Sequence, residues 1–394
     1  MVTEAPVRPR KEVRAQQSRK RTVEIIGIIA FIVLMAVIMP LVLSGFRLGL
    51  LGRFMSLAIV ALGIDLIWGF TGLLSLGHGI FFALGGYAFA MFLQLNSLSE
   101  GQIPEFFGLY GVSELPWFWE PFRSFPFTLV AIFTMPAIIA GLLGYLVFRN
   151  RIRGVYFSIL TQAALVVFFN LFNGQQKWIN GTNGLKTDTS IFFGQQVGGD
   201  RMQLTFYFIT IALLVLMYLL CRWLTSGRFG RLLIAIRDDE NRVRFSGYDP
   251  TGFKVLVFAV SGAIAGIAGA LYTVQSGIVS PQFMDIAFSI EMVIWVAVGG
   301  RATLVGAILG ALLVNWARAL LSESFPEVWL FFQGALFLLV VTALPDGIVG
   351  WLRKQAPGGV RSFFGKPDPL LTYPQVELDP DIQKERQEIS ESPK

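Results

Sequence analysis

The stretch IIGIIAFIVLMAVIMPLVL, Ile25 to Leu43, carries no charged residue, and neither does FTLVAIFTMPAIIAGLLGYLVF, Phe127 to Phe148. Apolar runs of about 18 or more residues read as membrane-spanning helices, because in hydrocarbon only a helix satisfies its own backbone within one segment. Ten apolar segments are legible, at 25–43, 54–70, 73–95, 127–148, 155–172, 204–221, 255–275, 288–300, 304–321 and 328–345. The segment at 288–300 is too short for a full crossing and the pair around Gly72 is interrupted, so broken or re-entrant helices are expected and about 8–10 spans. Charged residues make up 15% of the chain, where a soluble domain carries about a quarter. The expected fold class is an all-α polytopic membrane protein.

The distribution of Lys and Arg orients it. Arg8, Arg10, Lys11, Arg14, Arg19, Lys20 and Arg21 precede the first segment, RNRIRG follows the fourth, the basic loop Arg222 to Lys254 follows the sixth, and GWLRK follows the last. Alternation of spans puts all four on one side, which the positive-inside rule makes cytoplasmic, the N-terminus included. The facing loops SEGQIPEFFGLYGVSELPWFWEP and SESFPE are acidic. The first apolar run exceeds the 7–15 residues of a signal peptide's apolar region and no small-residue cleavage site follows it. Three regions are expected: a basic cytoplasmic segment 1–24, a membrane domain 25–354 with its cytoplasmic loop at 222–254, and a disordered cytoplasmic tail 355–394 rich in Pro, Glu and Asp.

Several chemistries lack their residues. The single cysteine, Cys221, excludes an intrachain disulfide framework and a multi-cysteine metal site, and it reads as an inert buried thiol. His78 is the only histidine, so it has no second imidazole with which to hold a metal. The net charge of +6 marks the cytoplasmic face of a membrane protein rather than a nucleic-acid partner. GVRSFFGKP, Gly359 to Pro367, fails as a phosphate loop: its glycines are spaced too widely and Pro367 stands where Ser or Thr would hold magnesium. No nucleotide site is expected in this chain.

Ionisable groups inside the apolar segments are few: Asp65, His78 and Glu291. Each is a functional candidate by its location. Asp65 and His78 could form a proton relay, which would make the chain a proton-coupled secondary transporter; alternatively Asp65 pairs with backbone or a neighbouring helix. His78 lies in GLLSLGHGIFFALGG, between Gly77 and Gly79, where a break or tight turn is expected near the cytoplasmic end of the second and third spans. There it either caps carbonyls freed by the break or lines a path and bonds a small polar solute. A second interruption falls at Gly299, Gly300 and Arg301, and paired interruptions of this kind expose backbone polar groups to a solute. Gly262 and Gly266, with Ala265 and Gly269, give small-xxx-small spacing for close helix packing.

The loop SGRFGRLLIAIRDDENRVRFSGYDPTGFK, Ser226 to Lys254, places Leu232, Leu233, Ile236 and Val243 at helical spacing, ringed by Arg231, Arg237, Arg242 and Arg244 around Asp238, Asp239 and Glu240. Gly227, Gly230 and Gly247 punctuate it. One or two short amphipathic helices are expected there, as a surface that receives a partner.

The stretches GFTGLLSLGHGIFFALGGYA, GRLLIAIRDDENRVRFSGY, SGAIAGIAGALY, SIEMVIWVAVGGRATLVGAILGALLVNW and LPDGIVGWLRK resemble the LivM-type permeases of ATP-binding-cassette importers, from about Gly45 to Lys354. Within that family DLIWGFTGLLSLGHG, VYFSILTQAA, NGTNGLKTD, RVRFSGY, EMVIWVAVGGRATLVGA and PEVWLFFQGALF look closer to the urea branch than to the branched-chain amino acid branch. The resemblance implies a bacterial inner-membrane transport subunit with no catalysis of its own. Its partners would be a homologous second permease, two ATPase subunits that bind ATP and magnesium, and a periplasmic binding protein. It further implies that Gly230, Arg231, Ile236, Arg237, Asp238, Glu240 and Gly247 couple to the ATPase, although Glu240 departs from the spacing of the strict EAA-type pattern. Asp65, Thr71, Gly72, Ser75, Gly77, His78, Gly79, Gln162, Gly299 and Gly300 would line the path or act as hinges, with Thr161 and Asn170 as further polar candidates. Urea is the solute implied, with a branched-chain amino acid as the alternative.

Overall fold

The computed structural model of the chain describes residues 22, 24–99, 101–324 and 347–355, with single positions between 331 and 342. The basic stretch 8–21, most of the apolar segment 328–345, the rejected phosphate loop at 359–367 and the tail 356–394 lie outside the described residues. Residues Ala30–Trp351 form one compact unit, and every contact below lies within it.

The apolar runs become helices: α1 (Glu24–Val42), α2 (Gly45–Thr71), α3 (His78–Asn96), α4 (Phe125–Arg149), α5 (Val155–Gly174) and α6 (Asp200–Ser226). Two short helices follow, α7 (Arg228–Asp238) and α8 (Glu240–Phe245), and then α9 (Pro250–Ser276), α10 (Ile286–Gly299), α11 (Leu304–Ser324) and α12 (Gly347–Gln355). Among the described residues eight helices, α1 to α6, α9 and α11, are long and apolar enough to cross a membrane, and α10 is shorter. The protein is therefore all-α and polytopic. The apolar-run boundaries shift at the interruption: α2 begins at Gly45 and α3 only at His78, because Gly72 ends α2 in the left-handed region (φ +75°).

α9 is the central element and packs against α2, α3 and α4. Glycine makes this approach feasible. A Cβ on Gly269 would land on the Phe82 carbonyl, one on Gly85 on the Gly266 carbonyl, and one on Gly266 on the Ile132 carbonyl. Pro136 sits inside α4 and has no N–H to offer Ile132, so the carbonyl it leaves free is covered by the Gly266 backbone. The small-xxx-small pattern of α9 is thus a two-sided contact, to α3 on one face and α4 on the other.

The two ends of this bundle differ. One end carries α7 and α8, the connection from α6 to α9. The other carries four two-residue strands, β1 (Leu185–Lys186), β2 (Ile191–Phe192), β3 (Gln195–Gln196) and β4 (Ile278–Val279). β1 pairs antiparallel with β4, Leu185 opposite Val279, and β2 with β3, Ile191 opposite Gln196.

Candidate functional site

After the Gly72 N–H bonds the Trp68 carbonyl the chain is non-helical as far as Gly77, and Leu73, Ser75 and Gly77 are buried, where each backbone polar group needs a partner. Hydroxyls of other helices supply several. Ser158 on α5 donates to the Leu74 carbonyl (2.6 Å), and the Leu76 N–H donates to Thr161 Oγ1 (3.0 Å), whose own proton goes to the Ser158 carbonyl (2.9 Å). The Gly77 N–H reaches Ser75 Oγ (3.3 Å) and the Gly79 N–H reaches Ser289 Oγ on α10 (3.3 Å). Thr71 Oγ1 returns to the Ile67 carbonyl within α2. Gly77 lies against Thr161, where a Cβ would come within 2.8 Å of the carbonyl oxygen. Ser75 and Thr161, expected along a path, hold this unwound strap in place. Ser158 and Ser289 do so too and escaped the sequence reading, since a lone hydroxyl in an apolar helix has no pattern.

His78 starts α3, 1% exposed. Its Nε2 lies 2.7 Å from Ser261 Oγ, and Ser261 Oγ donates to the Gly63 carbonyl at 2.6 Å. A hydroxyl has one proton, so the ring is the donor and Nε2 carries the hydrogen. The edges of Phe81 and Phe258 enclose it. Ser261 lies about 16 Å along α9 from Pro250, and Gly63 about 12 Å along α2 from Thr71, at 1.5 Å per residue. His78 therefore sits well inside the bundle rather than near the end of the spans. The correction has a simple cause: the non-helical stretch Gly72–Gly77 carries the chain back inward before α3 begins.

Asp65 holds the second interruption. Its Oδ1 accepts from the Ala302 N–H (2.7 Å), in the turn between α10 and α11. Gly69 lies beneath that turn, where a Cβ would come within 2.5 Å of the Ala302 nitrogen, and Arg301 lies over the Trp68 ring at 5.0 Å. Gly300 ends α10 at φ +119°, and Gly299 packs directly on the Gly306 carbonyl of α11. Asp65 and His78 thus have separate partners, and the described hydrogen bonds do not join them into a relay. Gln162 is half-buried on α5, while Asn170 bonds the Val166 carbonyl of its own helix.

The polar loop folds as two amphipathic helices, as its pattern predicts. Asp239 caps α8 by accepting from the Arg242 N–H (3.0 Å), and Leu233, Ile236 and Val243 are buried. Gly230 is pressed on the Thr225 carbonyl, and Gly247 leaves α8 at φ +86°. Arg231 is exposed, and Asp238 is half exposed and paired with Arg237 Nε.

Arg237 turns inward. Its Nη1 donates to the Gly69 carbonyl (2.8 Å) and its Cγ lies against Gly72, where a Cβ would stand 2.9 Å away. The same side chain thus joins the amphipathic loop to the last turn of α2 and to the start of the strap.

Glu240 is a second inward anchor. Its carboxylate meets Lys254 of α9 (3.1 Å), Arg244 of α8 (3.0 Å) and Arg153 from the α4–α5 turn (3.1 Å), and Arg153 also donates to Asn241 Oδ1 (3.2 Å). Burial raises the Glu240 pKa, but Lys254, Arg244 and Arg153 outweigh it and hold the carboxyl below the usual range. Of the residues expected to couple to the ATPase, Glu240, Ile236 and Gly230 are buried within this chain. The exposed surface is instead Arg231, Asp238, Gly247, Phe245 and Tyr248, with Phe245 93% exposed. The two aromatics were missed because they fall outside the apolar stripe.

A bundle of membrane-crossing helices, two of them interrupted beside one another and wired to an amphipathic loop at one end, is the architecture of a multi-pass transport permease. The family described as branched-chain amino acid transport system, permease component, matches residues 46–341, and the chain belongs to it. The chain is 29% identical over 350 residues to the high-affinity branched-chain amino acid transport system permease protein LivM of Escherichia coli K12, covering 83% of this chain and 75% of that one. It is 25% identical over 325 residues to the probable LivM of Methanocaldococcus jannaschii (74% and 89%) and 25% identical over 310 residues to the permease LivH of Escherichia coli K12 (74% and 91%). No solved structure matches. The relatives are permease subunits, so this chain is a transport subunit of the ATP-binding-cassette importer class and a multi-pass inner-membrane protein. Likeness to both LivM and LivH marks a system with two permease subunits.

Proposed function

We propose that this chain forms half of the translocation path of an ATP-driven importer for branched-chain amino acids. The observation that carries the reading is Arg237, through which the amphipathic loop reaches both α2 and the strap at Gly72. In this reading the loop end lies in the cytoplasm, in keeping with Arg149, Arg151, Arg153, Arg222, Arg228 and Arg231 gathered there. Phe245 and Tyr248 anchor the ATPase subunits, which bind ATP and magnesium. A binding protein delivers solute at the strand-bearing end. Movement of the docked loop then passes to the strap by two routes: Arg237 to Gly72, and Glu240 through Arg153 to α5, whose Ser158 and Thr161 grip Leu74 and Leu76.

For the solute, the names of the relatives put branched-chain amino acids ahead of the urea expected from the sequence. Urea is kept as the second reading on the strength of stretches such as NGTNGLKTD and EMVIWVAVGGRATLVGA. Uptake of labelled leucine and labelled urea, in cells lacking the gene and in cells with it restored, separates the two. Leucine uptake lost and regained with the gene is the expected result; a response of urea alone would replace the substrate and keep the importer, and an ATPase that fails to co-purify would end the importer reading.

Coupling has its own test. Arg237→Ala removes a charge-assisted bond worth about 1.5–3 kcal/mol, so uptake is expected to fall about tenfold or more while the ATPase still co-purifies. Unchanged uptake would mean that the Arg237 contact does not transmit.

A further inference from the structure

The turn that joins α4 to α5, Arg149 to Gly154, faces two ways. Arg153 reaches inward, to Glu240 and Asn241 of the amphipathic loop. Arg149 and Arg151 are exposed and make no ion pair among the described residues. The hairpin supplies no carboxylate to pair them, since no Asp or Glu occurs between Glu120 and Asp188. Glu240, which meets the turn at Arg153, is already shared with Lys254 and Arg244.

Arg149 Nη1 donates to the Tyr145 phenol oxygen (3.0 Å), and its guanidinium lies over that ring at 5.6 Å. The phenol is the acceptor of that bond, so its own proton stays free to donate. Arg151 stands at φ +57°, in the left-handed region where a side chain costs strain and glycine does not. Glycine does take the other left-handed position of the turn, Gly154 at φ +55°. The macrodipole of α4 accounts for a cation at Arg149, and the positive-inside rule for basic residues at this end. Neither calls for arginine at the strained position.

The turn stands where lipid headgroups lie. α4 has 25 residues, about 37 Å at 1.5 Å per residue, against a hydrocarbon core of about 30 Å, so its ends reach the headgroup layers. Ile138, Leu142, Tyr145 and Arg149 follow at steps of four, three and four residues and are all exposed, so Arg149 tops one stripe of α4. Val155, Tyr156 and Ile159 begin a second exposed stripe on α5 directly after the turn. No charged residue occurs from Phe125 to Phe148 or from Val155 to Gly174, as contact with acyl chains demands.

Two guanidiniums and a phenol proton, all donors, suit phosphate oxygens. We propose that the α4–α5 turn binds the phosphate of an anionic phospholipid of the cytoplasmic leaflet. Arg149 and Arg151 are its cations, Tyr145 adds a hydrogen bond, and the stripes of α4 and α5 lie against its acyl chains. The headgroup holds the lipid side of the turn while Glu240 holds the other, so Arg153 ties the amphipathic loop to the membrane surface. The site is independent of which solute the chain carries.

The test is binding of phosphatidylglycerol to the delipidated permease, purified with the subunits that accompany it, against phosphatidylcholine and inorganic phosphate. Wild type is expected to prefer phosphatidylglycerol about tenfold or more. Arg149→Gln and Arg151→Gln each weaken that binding about fivefold, and the double variant falls to the phosphatidylcholine level. Arg151→Gly removes the same guanidinium but relieves the left-handed strain, so its melting temperature should match or exceed that of wild type while its lipid affinity falls. Arg151→Lys should keep most of the affinity. Equal affinity for the two lipids, or phosphatidylglycerol binding unchanged in the double variant, would overturn the site. Full displacement of the lipid by millimolar inorganic phosphate would overturn it too, by making the ligand a free phosphate. So would loss of an accompanying subunit from the double variant, by making the turn a protein contact.

Discussion

Glu240→Ala is expected to destabilise the loop end by about 3–5 kcal/mol, the cost of breaking a buried ion pair from one side. The reason is Lys254, only 1% exposed, whose ammonium has Glu240 as its carboxylate. Adding Lys254→Met removes the stranded charge and should return most of the loss. Thermal unfolding of the single and double variants, with limited proteolysis at α7 and α8, measures both effects. The pH dependence has a definite sign. The folded carboxyl titrates below its unfolded value of 4.5, so its contribution is complete above that pH and is lost as pH falls through the folded value. The gap between wild type and Glu240→Gln should therefore be full at neutral pH and close only in acid. A gap that stays constant into strong acid would mean that the cluster contributes nothing through its charge.

Gly269→Leu should be more damaging still. Its Cβ would lie on the Phe82 carbonyl, and neither backbone can yield while α9 is also held against α4 through Gly262 and Gly266. Overpacking with side chains that can shift costs about 1–3 kcal/mol; here a main chain must move, so loss of monodisperse protein from detergent extracts is the expected outcome. Gly49→Ala, which meets nothing within 4 Å, is the matched control and should purify as wild type. A well-behaved Gly269→Leu would mean that α3 and α9 are not in backbone contact.

The spans were legible because lipid imposes one rule on every residue of a crossing helix, and a run such as Phe127 to Phe148 obeys it throughout. α7 and α8 were legible for a related reason, as Leu233, Ile236 and Val243 recur at the helical period. Position along the membrane was not. His78 looked like a turn residue at the end of two spans, because flanking glycines signal a break without saying how far the broken chain travels. Glu240 sat among Arg242, Arg244 and Asp239 and so resembled part of a solvated charged face. Its burying partners Arg153 and Lys254 come from a different turn and from α9, and no local pattern connects them. Arg318 was passed over on similar grounds: one charge near the end of an apolar run is ordinary, and only folding places it beside Glu291.

The strap from Gly72 to Gly77 also sets a length scale. Seven Cα–Cα steps join Thr71 to His78 and could reach roughly 23–25 Å when fully extended, against the ~12 Å that separates Thr71 from the level of Gly63 and His78. Length alone leaves the connection slack, and its stiffness comes from its pins: Ser158 on the Leu74 carbonyl, Thr161 on the Leu76 N–H and Ser289 on the Gly79 N–H. A pull on the strap is therefore handed to α5 and α10, and the hydroxyls that hold it are as much a part of the machine as the glycines that free it.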